Sequence, residues 1–167
     1  MIKLGDYSYM GLVHDDYNAD IEVGKFTSIA NGTVFLGHCE HPPRENRNVV
    51  STFNFAERLG LDYPPCSGRK TIIGNDVWIG ENVIIIDGSY IGDGSIIGAG
   101  SVVSGMVYPY SVMVGNPAKM VRHRFELDDV LALMRIKWWD WDIELIKSRI
   151  SDLHNVKNFI QKYDEKS

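Results

Sequence analysis

The chain has 167 residues, 44% of them hydrophobic, which suits one ordinary domain with a real core. Lys and Arg total 17 against 22 Asp and Glu, a net charge of −5, so no global positive field draws in nucleic acid or an anionic membrane, and any anion must be met by a local basic cluster. The opening "MIKLGDYSYMGLV" lacks a charged-then-apolar leader, no apolar run approaches the ~20 residues of a membrane span, and the two cysteines, Cys39 and Cys66, form neither a disulfide framework nor a usual zinc spacing; these features predict a reduced, cytoplasmic protein.

Taken from the N-terminus, Leu4-Gly5 and Met10-Gly11 begin a rhythm that Val23, Ile29 and Phe35 carry on at six-residue spacing, with Thr27 and Thr33 two positions ahead of the last two. A helix needs an apolar residue every 3.6 positions and a plain strand every 2, so a period of six predicts short strands broken by regular corners. From Val34 to Arg69 the rhythm fails. Pro42, Pro43, Pro64, Pro65 and "RENRN" predict a long excursion, and long loops on rigid scaffolds commonly hold function.

The rhythm returns at Ile73, Ile79, Ile85, Ile91, Ile97 and Val103, and the residue two before each is small or β-branched: Thr71, Val77, Val83, Ser89, Ser95 and Ser101. Both positions face inward on alternating strands, while Gly and Asx supply the corners. Such hexapeptides are the signature of a parallel β-helix with three hexads to a coil, so Thr71 to Met106 makes two coils and the earlier run about one more. The same register stacks Trp78 under Ile96, Ile84 under Val102, and Ile72 under Tyr90 and Tyr108 on the outside. Outward apolar rows of this kind predict a homo-oligomer packed prism to prism, or a ligand groove.

After "GNPAKMVRHRF" the pattern turns helical. Leu127, Val130, Leu131, Met134 and Trp138 recur at three or four residues, with Asp128 and Asp129 suited to a first turn. "WWDWD" breaks that helix, and Ile143, Ile146, Ile150, Val156, Phe159 and Ile160 predict further helical segments. The expected layout is a β-helix domain over 1–125, its loop at about 37–70, and a helical cap over 126–167 that covers the open end of the solenoid.

"VGKFTSIA", "GHCEHPPRENRNVVSTFNF", "IGNDVWIGENVIIIDGSYIGDGSIIGAGSVV" and "YPYSVMVGNPAKMVRHRF" together resemble the xenobiotic acetyltransferase branch of the hexapeptide-repeat acyltransferases. That branch includes type B chloramphenicol and streptogramin acetyltransferases and relatives acting on sugars. The likeness runs from about Leu4 to Phe125, and the tail is also similar. The resemblance implies a mainly β fold, a left-handed parallel β-helix with an excursion loop and an α-helical tail; the spacing itself does not prove the hand. It implies a homotrimer with active sites between subunits, acetyl-CoA as donor, and a small hydroxyl-bearing acceptor, with no metal, nucleic acid or membrane partner.

The histidine matching the family's general base is His41, in "HPP". An unperturbed imidazole, with a pKa near 6.5, can take a hydroxyl proton as attack on the thioester proceeds. The resemblance further implies that Trp78 flanks the pantetheine arm, Gly80 and Ala99 approach it, and Ser104 and Gly105 meet it near a turn. Lys119 and Arg122, with Arg124 as a further candidate, meet phosphate. Where relatives often carry Thr-Lys, this chain carries Ser104-Gly105. Aromatics at Tyr17, Phe53 and Phe55 are candidate acceptor contacts.

Other readings of these residues stand beside that one. His38 is a second candidate base, a loop histidine can be merely structural, and His14 and His123 lie outside the matching motif. "HCEH" with Cys66 offers metal ligands, and Cys39 offers an acyl carrier in a ping-pong scheme. Glu40, Glu45 and Glu57 are candidate orienters of the imidazole or plain solvated charges. The alternative readings are Trp78 as purely an oligomer contact, Ala99 as a small turn residue and Lys119 as a surface charge. Two rival classes fit the scaffold: a zinc-dependent carbonic anhydrase type, disfavoured because no histidine lies between Glu81 and Tyr110, and a non-catalytic β-helix, which needs neither a histidine loop nor a basic turn.

Overall fold

The sixfold rhythm yields strands of two to five residues, each ended by a corner. The computed structural model describes residues 1–15, 19–37, 50–51, 53, 55–61 and 68–165. Before the excursion run β1 (Ile2–Leu4), β2 (Tyr9–Met10), β3 (His14–Asp15), β4 (Ile21–Val23), β5 (Ser28–Ile29) and β6 (Val34–Leu36). A short helix, α1 (Phe55–Leu59), lies within the excursion. The main run follows as β7 (Thr71–Ile73), β8 (Trp78–Ile79), β9 (Ile84–Ile86), β10 (Tyr90–Ile91), β11 (Ile96–Ile97), β12 (Val102–Val103), β13 (Met106–Val107), β14 (Ser111–Val114) and β15 (Lys119–His123).

Strands three apart in order pair in parallel and make three sheets: β1-β4-β7-β10-β13, β2-β5-β8-β11-β14 and β3-β6-β9-β12. These are the three faces of a prism. β15 alone runs antiparallel, folded back on β14 at the edge of the second sheet. Within the main run Ile72 pairs with Tyr90, Trp78 with Ile96 and Ile84 with Val102, the 18-residue coil that the spacing predicts. Across the excursion the step from Ile21 to Thr71 is 50 residues, yet the sheet continues in register, so the prism carries its insertion at the corner between β6 and β7.

One expectation of register fails. Tyr90 stacks against Met106, not Tyr108, because the last coil is only 16 residues long. Its corner, Ser104-Gly105, places Gly105 at φ 86°, a left-handed turn that returns the chain to the sheet two residues early.

The inward columns form the core. Val23, Ile73, Ile91 and Val107 line the first face, Ile29, Ile79 and Ile97 the second, and Phe35, Ile85 and Val103 the third, all buried. Each such side chain is worth ~1.5–3 kcal/mol of burial. The small hydroxyls beside them are buried too, and they serve corner backbone: Thr27 donates to the Gly74 carbonyl at 2.9 Å, Ser95 to that of Tyr108 at 3.0 Å, and Ser101 accepts from Gly115 N–H at 3.1 Å.

The tail comprises α2 (Leu127–Ile136), a 3₁₀ turn (Trp138–Asp140), α3 (Ile143–Ser148), a second 3₁₀ turn (Ile150–His154) and α4 (Val156–Tyr163). Asp128 and Asp129 do sit in the first turn of α2, and the helix ends where Lys137 turns left-handed. The tail's docking contacts fall along one corner of the prism, not over its end. Trp138 packs on Phe26 at 5.0 Å, Lys25 pairs with Asp140 at 3.0 Å, and Tyr110 shares a buried cluster with Val130, Leu133, Trp139 and Phe159. That corner is built from residues in left-handed backbone, Tyr7, Phe26, Asp76 and Tyr110, and the rings of Tyr7, Phe26 and Tyr110 give the helices an apolar seat. No helix among the described residues is long and apolar enough to cross a membrane.

Candidate active site

Successive parallel strands lift equivalent residues onto one outward row. On the second sheet the register aligns Tyr9, Ser28, Trp78, Ile96, Val112 and Arg122. Trp78 is 57% exposed, a large cost in water for a soluble face. Arg122 stands three strands away, roughly 14 Å at ordinary strand spacing. The row therefore runs from an exposed indole over aliphatic ground to a cation, an arrangement suited to a long ligand with an apolar stem and an anionic end.

At one end of this face, Gly80 and Ala99 meet at a corner. A Cβ on Gly80 would stand 2.7 Å from the Ala99 backbone nitrogen, so glycine is needed for the coils to close there. Gly80 is buried and Ala99 exposed, which puts only the alanine on the surface. Ser104 and Gly105 are exposed at the short corner, with nothing within 4 Å of where a Gly105 side chain would begin. Lys119, opposite Val114, and Arg122, opposite Val112, are exposed on β15. Phe53, 48% exposed, meets Phe55 edge-on at 5.0 Å in the excursion.

Arg124 does not share that exposure. Its guanidinium donates to the Gly94 carbonyl at 2.6 Å and to the Asp76 carboxylate at 3.2 Å, and lies 5.3 Å from the centres of both the Tyr110 and Phe125 rings. Burial pushes the Asp76 carboxyl above the usual carboxylate range, against the pull of Arg124. Burial and the Asp76 charge push the Tyr110 hydroxyl up as well, so it stays protonated, and among the described residues it has no hydrogen-bond partner although the Trp138 indole stands near it. A cavity of about 230 Å³ beside this cluster is lined by Asp76, Tyr110, Arg124, Phe125 and residues of the tail; it faces the helices, away from the Trp78 row. Asp76 and Tyr110 do not stand out in the sequence because "GND" and "YPY" look like ordinary corners.

His38, Cys39, Glu40, His41, Glu45, Cys66 and Tyr17 lie outside the described residues, and of Glu57 only the helical backbone is described. The structure brings together Trp78 and Arg122 on one row, with Lys119 on the same hairpin, and places Arg124 elsewhere.

Residues 70–105 match the family described as bacterial transferase hexapeptide (six repeats). A chloramphenicol acetyltransferase of Agrobacterium fabrum is 38% identical over 144 residues, 80% of this chain and 66% of the relative, so the chain spans just under two thirds of that protein's length. A chloramphenicol acetyltransferase of Escherichia coli is 34% identical over 170 residues, 87% of this chain and 79% of the relative. Among solved structures, a hexapeptide-repeat acetyltransferase of Vibrio cholerae in complex with acetyl coenzyme A superimposes with a TM-score of 0.60 at 28% identity, over 75% of this chain and 61% of that one.

Proposed function

The chain belongs to the hexapeptide-repeat acetyltransferases, among the relatives of chloramphenicol acetyltransferase, and on that premise we propose that it moves acetyl from acetyl-CoA to a hydroxyl of a sugar or antibiotic-like small molecule. The observation that carries this reading is the outward row that begins at Trp78 and ends at Arg122. Its length and chemistry suit the co-substrate: Trp78, Ile96 and Val112 lie beside the pantetheine arm, Ala99 and the Ser104-Gly105 corner border it, and Lys119 and Arg122 take its phosphates. Gly80 acts beneath the surface by letting the coils close. The Gly105 corner offers this donor no cation, which concentrates phosphate binding on the hairpin.

In this reading His41 is the general base. Its imidazole takes the proton from the acceptor hydroxyl as that oxygen bonds to the acetyl carbon; the carbon–sulfur bond then breaks and the proton passes to the departing thiolate, leaving an acetyl ester and free thiol. Backbone N–H groups hold the developing oxyanion. Phe53, Phe55 and Tyr17 border the acceptor. The exposed row of Ile72, Tyr90 and Met106 on the first sheet suits burial against a second copy, in a homotrimer whose sites lie between subunits.

His41→Ala is the test. Thiol release from acetyl-CoA should fall roughly 10²- to 10⁴-fold, with unchanged melting. Full activity in that variant removes the proposed mechanism.

A further inference from the structure

β15 is an edge strand whose five residues are all exposed, paired on one side only, with an irregular register at Val112 and Met113. Edge strands of this kind fray unless something holds them. Lys119 and Arg122 stand on it, so the phosphate contacts of the proposed reaction are only as well placed as the strand itself.

What holds its outer end is Arg124. The Arg124 backbone N–H donates to the Tyr110 carbonyl at 2.8 Å, and its guanidinium reaches the Gly94 carbonyl and the Asp76 carboxylate. These three acceptors sit at three successive levels of the same prism corner. The levels are themselves tied: Tyr110 N–H donates to the Asp93 carbonyl at 2.8 Å, Gly94 N–H to that of Asn75 at 2.8 Å, and Asp76 N–H to that of Lys25 at 2.9 Å. Backbone hydrogen bonds thus tie the corner level to level, and Arg124 joins the hairpin to it.

We propose that Asp76 is a positioning residue for donor binding: by fixing the Arg124 guanidinium across three coils, it sets where Lys119 and Arg122 meet the phosphates of acetyl-CoA, a role that rests on the acetyltransferase reading. A half-buried ion pair is a weak way to add stability, and the raised pKa of Asp76 shows that burial outweighs the attraction of Arg124. The pair's worth therefore lies in geometry: one carboxylate, half-buried at a fixed corner, admits one orientation of the guanidinium.

The experiment is steady-state kinetics of Asp76→Asn and Arg124→Lys at saturating acceptor, with CoA binding measured by calorimetry. Both variants should raise KM for acetyl-CoA, and weaken CoA binding, by about tenfold while kcat stays within about twofold. The double variant should lose little more than either single one, since the two residues act as one clamp. Arg122→Ala supplies the comparison for direct loss of a phosphate contact. If Arg122→Ala raises KM while Asp76→Asn and Arg124→Lys keep wild-type KM and CoA affinity, the inference is overturned and the acetyltransferase reading stands. If either variant instead loses kcat at unchanged KM, the role is general support of the fold and the inference is equally overturned. If the wild-type protein neither binds CoA nor releases thiol, both fall together.

Discussion

Asp76 is the residue whose titration carries the most information. Its folded pKa lies above the unfolded value near 3.9, so the native state binds its proton more tightly than the unfolded chain does. Its contribution to stability is therefore fully present below the unfolded pKa and is lost as pH rises through the raised one. The charged and titratable groups facing it are Arg124, Asp93 and Tyr110, and Arg124 opposes the shift. Denaturant unfolding of the wild type and Asp76→Asn between about pH 4 and pH 8 checks the sign: the stability of the wild type relative to the variant should decline with rising pH. A relative stability that climbs instead would mean that Arg124 dominates. None of this was legible in the sequence. A basic residue after "KMVRH" displays its charge, but its partner lies 48 positions earlier and only the winding of the coil brings them together.

Strands and corners obey different rules, and the sequence exposes them unequally. A strand repeats because every inward side chain must meet the one below it, so the spacing of Ile73 through Val103 is enough to announce the three faces. A corner has no such requirement. The 16-residue coil at Ser104-Gly105 moved Met106 into the place expected of Tyr108, and the tail settled on an aromatic corner column whose left-handed residues no periodicity marks. Glycines at the corners separate backbone strain from crowding. Gly94 and Gly100 have nearly the same φ, 69° and 70°, but a Cβ on Gly94 would lie 2.5 Å from the Tyr110 ring, whereas Gly100 faces open space. Gly100→Ala should cost ~1–2 kcal/mol from the left-handed backbone alone. Gly94→Ala should cost ~1–3 kcal/mol more because Tyr110 must move. Equal midpoints in urea would contradict that packing at the corner.

For the molecule as a whole, the proposed site reconciles a net charge of −5 with an anionic donor by gathering cations on one hairpin, with an apolar row proposed to meet the remaining length of the ligand. The prism, the excursion and the helical tail were readable because each changes the period of the chain. The acceptor was not, because the aromatics proposed to border it, Tyr17, Phe53 and Phe55, stand outside the sixfold repeat, which dictates nothing of their placement. The most direct measurement is thiol release from acetyl-CoA by the wild-type protein against chloramphenicol, a streptogramin and a panel of sugars, with the product identified by mass spectrometry. Acceptor-dependent release matched one for one by an acetyl ester is the predicted result. No release with any acceptor, together with no detectable CoA binding, would leave the fold as a scaffold without this chemistry.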